Sequence, residues 1–161
     1  MTKKLYLTKA PAAKAGMLIR KPVSEVFEAF INPEITTKFW FTKSSGRLEA
    51  GRKITWTWEM YNSSGDVNVK EVEKDRRILV EWVYNGVLTP VEWIFTPYGK
   101  DAAYVSITNS GFGGDGDKVV EDALGSKGGF TWVLAGAKTY LEHGIKLGLI
   151  EDAFPKGLNT H

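Results

Sequence analysis

The chain has no cysteine, which excludes disulfide scaffolds, thiolate metal sites and cysteine nucleophiles and suits a reducing compartment, with the cytoplasm as the expected location. Histidine is nearly absent too. With only His143 and His161, a Ser-His-Asp type centre has little to draw on and a zinc site lacks ligands, so neither a metal nor a cofactor is expected. No sign of charge dominates: 21 basic against 19 acidic residues leave +2, too little for the broad basic surface that nucleic-acid binding needs. Nowhere do about 18 apolar residues run together, so no membrane span is expected. The opening stretch through Leu7 carries Lys3 and Lys4 but not the apolar run of a signal peptide, so no export by that route is expected either.

What the chain has in plenty is aromatic residues: six Trp, six Tyr and eight Phe, 12% of the total. Its 161 residues suit one domain, spanning 1–161 with a core from about 13 to 148. Residues 15–20 read as a first strand stopped by Pro22. Val23, Val26, Phe27 and Phe30 then fall at helical spacing, ending at Asn32-Pro33, and a second short helical piece follows Pro33. From Arg47 to Asn109 the period changes to 2, with turns expected at Glu49–Gly51, Asn62–Asp66, Lys74-Asp75, Asn85-Gly86 and Tyr98–Asp101. Alternation puts Ile54, Trp56, Trp58 and Met60 on one face, as it does Ile78, Val80, Trp82 and Tyr84, and Val91, Trp93 and Phe95. Glu59, Glu81 and Glu92 fall on the other face, facing outward. The glycine-rich stretch 110–117 breaks the sheet as a loop. A long helix follows, with Phe130, Leu134, Ala137, Leu141 and Ile145 as its stripe, Gly144 as its stop and Gly148 at a further turn.

The stretch Pro22 to Glu34, the charged strand pair from Val72 to Trp82, and the C-terminal run Gly129-Phe130, Leu134, Ala137-Lys138, Tyr140-Leu141-Glu142 and Gly144 together resemble the START-like (SRPBCC) superfamily. Within it they are similar to the group of the activator of the heat-shock-protein-90 ATPase. The resemblance implies an α+β helix-grip fold, also called Bet v 1-like: a curved antiparallel sheet of about seven strands around a long C-terminal helix, with two short helices after the first strand. Two positions depart from the pattern, Phe130 where Trp is commoner and Ala137 where Leu is commoner. The smaller Ala137 either enlarges a cavity or leaves room for Trp132 and the sheet tryptophans.

The resemblance also implies a hollow between helix and sheet, lined by Trp40, Trp56, Trp58, Trp82, Trp93, Phe112, Phe130, Leu134 and Tyr140, with Phe39, Trp40 and the 110–118 loop at its entrance. The expected function is non-enzymatic binding of a hydrophobic or aromatic small molecule or lipid. Two alternatives come with the superfamily. One is a co-chaperone stimulating a heat-shock-protein-90-type ATPase, although a fold beginning by about Ala13 leaves no room in this chain for the extra N-terminal domain such co-chaperones carry. The other is a cyclase or dehydratase, for which Tyr140 is the one inward proton donor, since the glutamates face outward and His143 reads as a helix-end residue. Asp115, Asp117, Glu121 and Asp122 are compatible with calcium but lack the full loop spacing, and read as a solvated loop with helix-start acids.

Overall fold

The computed structural model describes residues 3–158. The elements run β1 (Ala13–Ile19), α1 (Val23–Ile31), α2 (Pro33–Thr36), β2 (Lys43–Ser44), β3 (Lys53–Trp58), β4 (Ser63–Glu73), β5 (Arg77–Tyr84), β6 (Val87–Pro97), β7 (Ala103–Asn109), α3 (Gly116–His143) and α4 (Leu149–Ala153). The strands form one seven-stranded antiparallel sheet in the order β1-β7-β6-β5-β4-β3-β2. It is the α+β helix-grip arrangement the sequence implies. β7 returns to pair with β1 along its whole length, Ala13 opposite Asn109 and Ile19 opposite Ala103, and α3 lies across this side of the sheet.

Local chemistry sets the boundaries. Pro22 caps α1, and Asn32 ends it while its side chain accepts the Glu34 N–H at 3.1 Å to start α2. Asn85 and Gly86 take positive φ values of 46° and 86°, the geometry of a two-residue hairpin, and pair Tyr84 with Val87. Asp115 accepts the Lys118 N–H at 2.9 Å to cap α3, and Gly144, at φ 68°, ends it.

Several expectations move. The turn foreseen at Asn62–Asp66 lies earlier: Glu59–Tyr61 form a 3-10 turn, Asn62 takes φ 49°, and β4 is already extended from Ser63. Met60 therefore leaves the strand alternation. α3 begins at Gly116, inside the stretch expected to be loop, because the Asp115 cap overrides the local glycine content. Ile145 lies beyond the Gly144 stop and is exposed, so the buried stripe of α3 runs instead through Val119, Ala123, Ser126, Phe130, Leu134 and Ala137. Trp132 faces outward at 42% exposure and fills nothing beside Ala137. The tail forms α4, which folds back onto α3.

The main core joins α1, the inner sheet face and the second half of α3. Phe27 and Phe30 meet Phe95 with ring centroids 5.1 and 5.9 Å apart, and Ile78, Val80, Val91, Ile107, Leu134 and Ala137 are fully covered. A separate small cluster holds Ala13, Phe112, Val119 and Ala123, with Tyr84 against it. Among the described residues no helix is long and apolar enough to cross a membrane.

Candidate functional site

Trp40 is the hub of the aromatic cluster. It leaves the α2 turn only 7% exposed, with ring centroids 4.7 Å from Trp56, 6.1 Å from Trp82, 6.1 Å from Trp93 and 5.7 Å from Phe130. Edge and tilted contacts dominate, as the ring quadrupole favours. Beside this cluster a cavity of about 200 Å³ opens between β5 and the middle of α3. Trp40, Trp82 and Phe130 line it together with Tyr84, Gly125, Ser126, Gly129 and Val133, while Ile150 and Phe154 border it from α4 and the residue after it.

The structure thus divides the expected lining. Trp40, Trp82 and Phe130 reach the cavity. Trp56, Trp93 and Leu134 sit behind it in solid core at 1%, 1% and 0% exposure, and Trp58 and Tyr140 pack partly buried against the same core without lining the cavity. Phe112 stands apart, in the small cluster behind Tyr84, 5.7 Å from that ring. The expected entrance at Phe39 and the 110–118 loop shifts accordingly: the exposed rim is Phe154, held by the Tyr61 hydroxyl, whose one proton is shared between the backbone carbonyls of Ile150 and Phe154, each 2.9 Å away.

Sequence reasoning missed Tyr84, Ser126 and Gly129. Strand alternation already placed Tyr84 inward, but nothing in the period reveals that α3 offers glycines to the cavity. A Cβ on Gly125 would come within 2.8 Å of the Tyr84 hydroxyl, whereas one on Gly129 would meet nothing within 4 Å. Glycine in mid-helix costs roughly 1 kcal/mol relative to alanine. At Gly125 that cost makes room for a tyrosine; at Gly129 it leaves open space.

Polar groups at the cavity are few and well defined. Asn109, wholly buried, donates through Nδ2 to Thr89 Oγ1 and to the Pro90 carbonyl, both at 2.9 Å, and accepts from Ser126 Oγ at 2.8 Å. Thr89 Oγ1 in turn donates to the Trp82 carbonyl at 3.2 Å. The indole N–H groups of Trp82 and Trp93 are buried with no acceptor among the described residues. Burial, with Asp122 nearby, pushes the Tyr84 phenol above its ordinary value, so it stays protonated at neutral pH. Asp122 accepts from Lys118 Nζ at 2.6 Å and from Asn85 Nδ2 at 2.8 Å, which hold its carboxyl below the usual carboxylate range.

Glu81 and Glu92 face outward as alternation put them, Glu81 pairing with Lys70 at 3.1 Å and Glu92 with Arg77 at 2.7 Å; Glu59 also faces outward, pairing with Lys43 at 3.7 Å, but from the 3-10 turn rather than from a strand. Among the described residues no group of three or more His, Cys, Asp or Glu is placed to hold a metal ion. A larger open groove of about 710 Å³ lies between α1 and the β4–β5 turn. Two of its charged groups pair with each other, Arg47 gripping Glu28 at 2.7 and 2.5 Å, and among the described residues no buried unpartnered side-chain donor lies in its lining.

Comparison with known proteins agrees with this architecture. A protein from Staphylococcus saprophyticus, SSP2350, is 31% identical over 85% of this chain and 96% of its own, with a TM-score of 0.72. The Aha1 dimer from Colwellia psychrerythraea, at 15% identity over 83% of this chain and 98% of that one, and the di-domain ARO/CYC protein BexL of the BE-7585A biosynthetic pathway, at 14% over 82% and 46%, share the fold with TM-scores of 0.69 and 0.72. No functionally curated protein gives a significant sequence match. Residues 20–142 match the family described as activator of Hsp90 ATPase homolog 1-like protein, most of the chain and all of the sheet except β1, and the chain belongs to that family.

Proposed function

We propose that this protein binds a small, largely apolar aromatic molecule in the cavity between β5 and α3. The observation that carries the reading is the cavity's lining, mostly aromatic and apolar side chains (Trp40, Trp82, Phe130, Val133) with the Ser126 and Tyr84 hydroxyl-bearing side chains among them. Ligand sites are commonly apolar hollows with a few polar groups that fix orientation, and this cavity has that composition. Size narrows the class. A cavity of about 150 Å³ holds benzene, so the 200 Å³ here suits one or two rings rather than a long acyl chain. The fold likeness to an ARO/CYC protein is compatible with an aromatic ligand and adds nothing more specific.

Titration with p-xylene, followed by tryptophan emission and by the indole N–H signals in NMR, tests the reading. Saturable one-to-one binding that perturbs Trp40 and Trp82 is expected. Absence of saturable binding across one- and two-ring aromatics would reject it. Family membership supports a second reading, stimulation of an Hsp90-type ATPase. ATP turnover by that chaperone, unchanged at micromolar excess of this protein, would exclude it.

A further inference from the structure

Tyr84 brings an unused hydroxyl to the cavity wall. Its ring meets Phe112 edge-on, 5.7 Å between centroids, and its oxygen reaches α3, where a Cβ on Gly125 would come within 2.8 Å of it. Tyr84 and Gly125 both line the cavity. Among the described residues this hydroxyl has no hydrogen-bond partner, yet it is not sealed from water as the Trp82 and Trp93 N–H groups are. A hydroxyl that served the fold alone would be bonded within it. This one stands open, against a mid-helix glycine that costs roughly 1 kcal/mol relative to alanine. A phenylalanine would make the same ring contact without the oxygen that Gly125 accommodates. Burial and the nearby Asp122 carboxylate hold the phenol above its ordinary value, so at neutral pH it carries its proton. What it lacks is therefore an acceptor, since an unmet proton is less well tolerated than under-used lone pairs.

Resting on the ligand reading above, we infer that Tyr84 is the specificity-determining residue of the cavity, donating its hydroxyl proton to a neutral acceptor oxygen, such as that of a ketone, on the ring ligand. A ligand that covers this hydroxyl takes it out of water, and one without an acceptor returns nothing for that loss. An anionic acceptor would enter a lining without a cationic side chain, near the Asp122 carboxylate. An ammonium has no lone pair to offer.

The test compares 4-methylacetophenone with p-cymene, nearly the same shape, with a carbonyl oxygen where the hydrocarbon has a methyl. At a wall without a donor the ketone would bind about tenfold or more weakly, because its oxygen loses water and gains nothing. With Tyr84 donating, the ketone should bind at least as tightly as p-cymene, and its infrared carbonyl stretch should fall below its position in an apolar solvent. Tyr84→Phe should shift the preference about tenfold toward p-cymene and return the stretch to the apolar-solvent position. The wild-type preference and stretch stand even if that variant folds poorly. Binding of both compounds with p-cymene tenfold the tighter in the wild type, or an unchanged preference in folded Tyr84→Phe, overturns the Tyr84 assignment alone; binding of neither overturns the ligand reading beneath it.

Discussion

The two halves of α3 meet the same sheet in different ways. From Phe130 onward the helix packs solidly: Leu134 and Ala137 are completely covered, and a Cβ on Gly136 would come within 3.3 Å of both the side chain and the backbone oxygen of Phe39. Just before Phe130, from Gly125 to Gly129, the helix stands off, although nearer its start Val119 and Ala123 pack in the small cluster. Gly125, Ser126 and Gly129 border a cavity, and polar ties hold the wall in place, from Ser126 to Asn109 and from Asp122 to Asn85. One residue type serves opposite ends, with Gly136 permitting close approach and Gly129 preserving space. Shape in the second half comes from packing, and around the gap in the first half from hydrogen bonds beside a small packed cluster.

The largest effect should fall on the packed half. Leu134→Ala should cost about 2–5 kcal/mol in chemical denaturation, the range for deleting a fully buried leucine. In the cavity half, Asp122→Asn should cost about 1–3 kcal/mol, because Lys118 loses a charged acceptor in a site where the Asp122 side chain is 5% exposed. Since that carboxyl is lowered in the folded state, its contribution is complete above the ordinary carboxylate value near 3.9 and is lost as pH falls through the folded value. The variant's stability curve should therefore be flatter than wild type below about pH 4. An equally steep acid limb would show that Asp122 does not tie this half.

Smaller again is the rim. Tyr61→Phe removes the one hydroxyl proton shared between the Ile150 and Phe154 carbonyls, worth about 1 kcal/mol, and should speed amide exchange across residues 149–154 without altering exchange in β5–β7. Unchanged exchange there would mean that the apolar contacts of Ile150 alone hold α4.

The fold was legible because its signals are local and repeated: alternation marked the inner sheet face, Asn85-Gly86 marked its hairpin, and Gly144 marked the end of α3. The cavity was legible only in part. Trp40, Trp82 and Phe130 could be named from pattern and resemblance, but a pattern shows which side of an element faces in, and depth does not follow from it. Trp93 and Trp82 share the inner face of neighbouring strands, yet one is sealed in the core and the other borders space. Phe112 was misplaced beside the tryptophans because Tyr84 stands between it and the cavity, a separation created by the β5–β6 turn meeting the start of α3. Gly129 carries no hydrophobic signal at all, and its meaning depends on what lies across from it.

That glycine gives the most direct test of the account. Gly128 and Gly129 are adjacent in α3, and a Cβ on either would meet nothing within 4 Å, but only Gly129 borders the cavity. Each alanine substitution should leave the fold intact and raise stability by roughly 0.5–1 kcal/mol through helix propensity. Calorimetric titration with p-xylene should then separate them, with Gly128→Ala matching wild type and Gly129→Ala weaker by tenfold or more as its methyl enters the cavity. Equal affinity in the two variants would contradict the claim that the open half of α3 is a binding site.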